Sequence, residues 1–122
     1  MRYLYISVIE VDGLPETASF WSSTDPYCRI KCGTEQGSTS VKKRAGGRAI
    51  FHESFNFPMR ATDLEIEILD KATLSSDKVL ANGVVTIRAR DGYCFMGPIP
   101  LRDASGDGLN PNVTLAISVH DQ

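Results

Sequence analysis

Apolar residues in this chain recur at every second position, in short runs that turn residues break about every ten positions, and this rhythm is that of stacked β-sheets. In YLYISVIEV (3–11), Leu4, Ile6 and Val8 share one face, and Asp12-Gly13 with Pro15 end the run. YCRIKC (27–32) places Cys28, Ile30 and Cys32 on one side and Tyr27, Arg29 and Lys31 on the other before Gly33. STSVKKR (38–44) predicts a weaker strand that Gly46-Gly47 turns into IFHESFNF (50–57), with its phenylalanines. DLEIEIL (63–69), the valine-rich stretch from Leu80 to Ile87, PIPL (98–101) and VTLAISV (113–119) complete about eight strands. No segment carries 3.6-residue spacing over the ~11 residues of an ordinary helix. The expected fold is all-β, an antiparallel sandwich in one unit spanning 1–122.

Several function classes fall away on chemistry. Thirteen Lys and Arg against fifteen Asp and Glu give a formal net charge of -2, with no global pull toward nucleic acid or anionic lipid, so any basic site must be local. An enzyme needs convergent reactive groups. This chain has two histidines, His52 and His120, with no nucleophile elbow and no phosphate-cradling glycine loop, and it is expected not to be an enzyme and to use no cofactor. Cys28 and Cys32 lie four residues apart on a strand, roughly 13 Å, too far to share a zinc ion or a disulfide. They are expected to act as small core residues, with Cys94 a third thiol in a reducing, cytoplasmic setting. No apolar run approaches the ~18 residues of a spanning helix. DASGDG (103–108) matches the start of a calcium loop, but position twelve is Thr114 rather than Glu and the flanks are strands, so a glycine-rich turn is the expected reading.

Five segments, taken in order, resemble a C2 domain over essentially the whole chain. LYISVIEVDGLP resembles the family's opening strand, TDPYCRI its Ser-Asp-Pro-Tyr-Val segment, and AIFHESFNF its Asn-Pro-x-Trp-Asn-Glu-x-Phe-x-Phe, with Arg48 and Ala49 where Asn-Pro usually sits. EIEILDKATLSSDKVLANGVVTI is similar to the strand and third loop, and PIPL with VTLAISV to the closing hairpin. The resemblance implies an eight-stranded antiparallel sandwich in the circularly permuted, type II order, with a binding tip made of loops at about 14–25, 43–49 and 70–80. C2 units usually sit beside other domains in larger proteins.

Family members often bind calcium at that tip through a set of acidic side chains. Here Asp25 and Asp70 stand at such positions, but the others fall on Ser19, Ala72 and Lys78, with Asp77 one position off. Two carboxylates cannot supply the roughly six to eight oxygens calcium takes, and a shifted alignment through Asp77 recovers a third carboxylate and no more. No metal is therefore expected, Asp25 and Asp70 being vestigial. Between Glu35 and Glu53 no acidic residue occurs, while Lys42, Lys43, Arg44 and Arg48 cluster where the second loop reaches the tip, and Lys78 can add to them. Phe20 and Trp21 supply an apolar pair in the first loop, either a second ingredient of a peripheral anchor or, with Trp21 folded back, a cover for the end of the sandwich. Some family members instead use a lysine-rich concave face on the strand leading into the second loop, where this chain reads TEQGSTSV without a lysine.

The function expected is calcium-independent docking to anionic phospholipid through Phe20, Trp21, Lys42, Lys43, Arg44, Arg48 and Lys78. The alternative is a protein-interaction or scaffold module that binds a protein partner, for instance at an exposed strand edge. Either places the chain in the cytoplasm, at a membrane surface or on the cytoskeleton, as a monomer without nucleic acid.

Overall fold

Burying the Leu4, Ile6 and Val8 stripe needs a second apolar sheet face, and the chain supplies one. A computed structural model describes residues 1–15, 24–72 and 75–122. Among them run nine strands: β1 (Arg2–Asp12), β2 (Pro26–Cys32), β3 (Glu35–Ser38), β4 (Ala49–Pro58), β5 (Asp63–Asp70), β6 (Lys78–Thr86), β7 (Cys94–Pro100), the two-residue β8 (Arg102–Asp103) and β9 (Asn112–Asp121). They form two antiparallel sheets, β4-β1-β9-β7 and β3-β2-β5-β6-β8. First and last strands are neighbours, with Ile6 opposite Ile117 and Leu4 opposite Val119, as the permuted order requires.

Alternation sets the core. Leu4, Ile6, Val8, Val113, Leu115, Ile117 and Val119 of one sheet meet Cys28, Ile30, Cys32, Leu64, Ile66 and Ile68 of the other, all buried. In the second sheet the apolar positions fall opposite one another, Cys28 against Ile68, Ile30 against Ile66 and Cys32 against Leu64. A bulge between Val8 and Glu10 resets the phase, so that Val11 also points inward.

The strand expected at 38–44 lies upstream, at 35–38. Thr39 ends the ladder, because its buried hydroxyl takes the Cys28 N–H at 2.9 Å while its own N–H donates to the Cys28 carbonyl. Beyond it the backbone follows β2 only through isolated bonds such as Lys42 N–H to the Pro26 carbonyl, 2.9 Å. Gly37 fixes where β3 must sit, since a Cβ there would stand 2.6 Å from the Phe55 ring. Gly37→Ala is expected to destabilise the fold by about 1–3 kcal/mol, as overpacking does. A urea midpoint equal to the wild type would show that the phenylalanine ring yields freely.

Among the described residues β7 ends the four-stranded sheet. Its odd residues pair with β9, as in Tyr93 carbonyl to Val119 N–H and Leu101 N–H to the Pro111 carbonyl, so even residues turn their backbone groups outward. Pro98 and Pro100 fall on two of those outward positions and leave no N–H there. Of the four even positions in β7 only Cys94 and Met96 offer a donor, which shortens any strand addition along this edge.

β1, β3 and β5 end, and β2, β4 and β6 begin, at one pole of the sandwich, which gathers there the connection 39–48 and the described residues of the connections 13–25 and 71–77.

Candidate functional site

At that pole the strand ends Pro26 and Asp70 are register partners, as are Asp70 and Lys78, so the carboxylates of Asp25 and Asp70 stand beside the basic loops. Both are half-buried and both are spoken for. Asp70 Oδ1 accepts the Asp25 N–H at 2.9 Å, and Asp25 Oδ1 accepts the Arg44 N–H at 2.7 Å. The Asp25 carbonyl takes the Lys71 N–H at 3.0 Å. Asp25 therefore ties the second loop, and Asp70 the end of β5, to the start of β2.

Asp77, the one-off position, does the same for the third connection. Its Oδ2 accepts the Tyr27 hydroxyl at 2.5 Å and its Oδ1 the Ala72 N–H at 2.9 Å, with the Lys71 ammonium 3.6 Å away. The Tyr27 hydrogen bond, then the Ala72 amide and Lys71, hold the Asp77 carboxyl below the usual range. Burial first, and the Asp77 bond next, push the Tyr27 phenol up. Among the described residues no three His, Cys, Asp or Glu side chains come together as a metal site.

The cations differ in what they meet. Lys43 and Arg44 are exposed and Lys42 half-buried, and the turn that carries them bends through left-handed backbone at Arg44 (φ 55) and Gly46 (φ 70). Arg48 lies at the root of the loop and gives two nitrogens to Glu10 Oε2, at 3.0 and 2.7 Å. Its charge is neutralised by that pair. Lys78 is exposed. Lys71, also exposed, is a cation of the third connection that the sequence reasoning passed over, although it directly follows Asp70. Excluding the Arg48–Glu10 pair, the described pole carries Lys42, Lys43, Arg44, Lys71 and Lys78 against Asp12, Asp25, Asp70 and Asp77. Ser19, Phe20 and Trp21 lie outside the described residues.

The calcium-like stretch at 103–108 is a closed turn. Asp103 Oδ1 accepts the Ser105 N–H (2.9 Å) and hydroxyl (2.5 Å), and Oδ2 the Leu109 N–H (2.9 Å). These bonds, the Ser105 hydroxyl foremost, keep its carboxyl below the ordinary range. The histidines are separate: His52 is exposed on β4, and His120 stacks edge-on against Tyr5 with ring centres 5.3 Å apart.

The outer face of the five-stranded sheet bears cations on β2 and anions on β5. Arg29 is paired to Glu67 at 2.8 Å, and Lys31 stands opposite Glu65. This face is balanced in sign, unlike the lysine-rich face some C2 domains use.

A family model described as C2 domain matches residues 2–100. Elicitor-responsive protein 3 of rice (Oryza sativa subsp. japonica) is 25% identical over 88 residues, 70% of this chain and 60% of that protein, so the match spans less than two thirds of the relative. Among solved structures, a C2 domain of plant Extended Synaptotagmin 1 superposes with a TM-score of 0.82 at 16% identity, covering 98% of this chain and 95% of that one. Human GIVD cytosolic phospholipase A2 superposes with a TM-score of 0.80 at 15% identity, covering 99% of this chain and 17% of that one. No helix among the described residues is long and apolar enough to cross a membrane.

Proposed function

The chain belongs to the C2 domain family, whose members often bind membranes or lipids, and we propose that it is a non-catalytic module docking to anionic phospholipid without calcium. The observation that carries this reading is the use of the tip carboxylates. Asp25, Asp70 and Asp77 accept hydrogen bonds from the loops' own N–H groups and from the Tyr27 hydroxyl of β2, the work that orders those loops. What the pole then offers outward is its excess of ammonium and guanidinium groups. Each basic residue near an anionic surface contributes about 1 kcal/mol, and the attraction falls off within a Debye length. Lys43, Arg44, Lys71 and Lys78 are all exposed, the half-buried Lys42 adds to the field, and Arg48 adds little because Glu10 cancels it. Phe20 and Trp21, which lie outside the described residues, are the apolar half of the proposed anchor.

Lys43→Ala combined with Arg44→Ala is expected to weaken sedimentation with phosphatidylserine-containing vesicles by about 2 kcal/mol, about 30-fold. Added salt should weaken the wild type in the same assay, and the melting point should hold, because both side chains are exposed. Partitioning unchanged in the double variant would transfer the function to protein interaction.

Calcium is expected to leave stability alone. A site filled to ~100 times its dissociation constant would add about 2.7 kcal/mol, a rise of several degrees in melting temperature at this size. A rise of that size in millimolar calcium, reversed by EDTA, would refute the calcium-independent reading.

A further inference from the structure

Ser40 stands at the start of the basic connection, and one carboxylate holds it. Its N–H donates to Glu53 Oε1 at 3.0 Å and Oε2 at 3.2 Å, and its hydroxyl donates to Oε2 at 2.7 Å. This bracket fastens the connection 39–48 to β4. The neighbouring hydroxyls differ. Thr39 is buried, with its hydroxyl taking the Cys28 N–H, and Ser38 lies within the β3 ladder. Of the three only Ser40 is exposed on backbone outside a strand. From there to Arg48 the backbone is held by separate bonds, such as Lys42 N–H to the Pro26 carbonyl and Ala45 N–H to the Thr24 carbonyl. A segment held in that way opens locally at low cost. Lys42, Lys43 and Arg44 follow the serine directly after Val41.

We propose that Ser40 is a phosphorylation site for a kinase that selects basic residues on the C-terminal side of serine, and that its phosphate switches docking off. The switch rests on the function proposed above; the site does not. In the transfer the Ser40 Oγ attacks the terminal phosphorus of a nucleoside triphosphate and the bond from that phosphorus to the bridging oxygen breaks. The diphosphate leaves, and the hydroxyl proton passes to the kinase's carboxylate base. The product acts in two ways. A phosphoserine carries about −1.5 to −2 charge near pH 7 and its oxygens are acceptors, so the hydroxyl donor to Glu53 is lost and a dianion faces a carboxylate. The bracket opens. The same charge lies within a few residues of Lys42, Lys43 and Arg44, and offsets about two of the cationic charges that would meet an anionic surface. The fold is kept, because every bond the phosphate displaces is at the surface.

The test incubates the chain with ATP and the isolated catalytic domain of protein kinase C, a kinase of that selectivity, and reads the product by mass spectrometry. One phosphate is expected, at Ser40, absent from Ser40→Ala and slower to enter Lys43→Ala combined with Arg44→Ala. Without vesicles, the ¹³C resonance of the Glu53 carboxyl should move to that of an unbonded glutamate. With phosphatidylserine-containing vesicles, the phosphorylated chain should bind about 30-fold more weakly than the unmodified one. Ser40→Ala should bind as the wild type before and after the same incubation. No phosphate at Ser40 overturns the site, and an unmoved Glu53 resonance overturns the opening of the bracket. Phosphorylated protein that sediments as well as unmodified protein overturns the switch and leaves docking standing. Unmodified protein that does not sediment refutes docking, and the labelling and the Glu53 resonance still decide the site.

Discussion

Between pH 9 and pH 11 the domain is expected to lose about 2–3 kcal/mol of stability through one buried thiol. Cys28 is buried between the sheets, and desolvation of its thiolate pushes the thiol from 9.0 up to about 12. The folded state therefore keeps its proton where the unfolded chain has released it. With the folded pKa raised, the contribution is fully present below the unfolded value and falls as pH rises above it, by about 1.4 kcal/mol per pH unit until the folded thiol ionises. Cys32, also raised by burial, adds to the same limb. Urea midpoints measured at pH 8, 9, 10 and 11 give the slope. Cys28→Ala lowers stability at every pH by leaving a small cavity, but it should flatten the alkaline limb by about one proton. A variant slope equal to the wild type would mean that Cys28 is hydrated in the folded state.

That thiol is also where the sequence was most legible. A cysteine four residues from another on an alternating strand can only be a core residue or a distant partner, and β2 buries both against Ile68 and Leu64. Period-two patterning carries the fold because each stripe has one face to bury and a slip of one residue would expose all of it. It fails where side chains replace backbone partners. STSVKKR alternates well enough for a strand, yet the Thr39 hydroxyl takes the Cys28 N–H and the ladder stops. The basic loop was legible as a charge run. The cancellation of Arg48 was not, because Glu10 reaches it across a bulge in β1 that no local pattern marks. Nor could spacing show that Asp25, Asp70 and Asp77 hold loops together, since those bonds join residues 19, 45 and 50 positions apart. A carboxylate that has lost its metal partners and one that staples a loop look the same in sequence.

Trp21 is the sole tryptophan and lies outside the described residues, so its own emission is the direct probe that separates the two readings the sequence leaves open, a wedge and a cover for the sandwich end. A wedge presented to solvent should emit as a hydrated indole and be quenched readily by iodide. Calcium-free phosphatidylserine-containing vesicles should then shift the emission to the blue, as the ring moves from water into the headgroup boundary. Burying about half of an indole's ~200 Å² at ~25 cal/mol/Å² is worth about 2.5 kcal/mol, so Trp21→Ala should weaken vesicle binding about 70-fold while stability is nearly kept. A ring packed over the sandwich end predicts the opposite pairing. Its emission starts blue, vesicles leave it unchanged, and Trp21→Ala costs about 3 kcal/mol or more of stability, as for a core aromatic. The two arms separate cleanly because affinity and stability respond in opposite ways. A buried spectrum with a strongly destabilised variant would remove the apolar half of the anchor, and docking would then rest on Lys43, Arg44 and their neighbours alone, with the steeper salt dependence that a purely electrostatic contact carries.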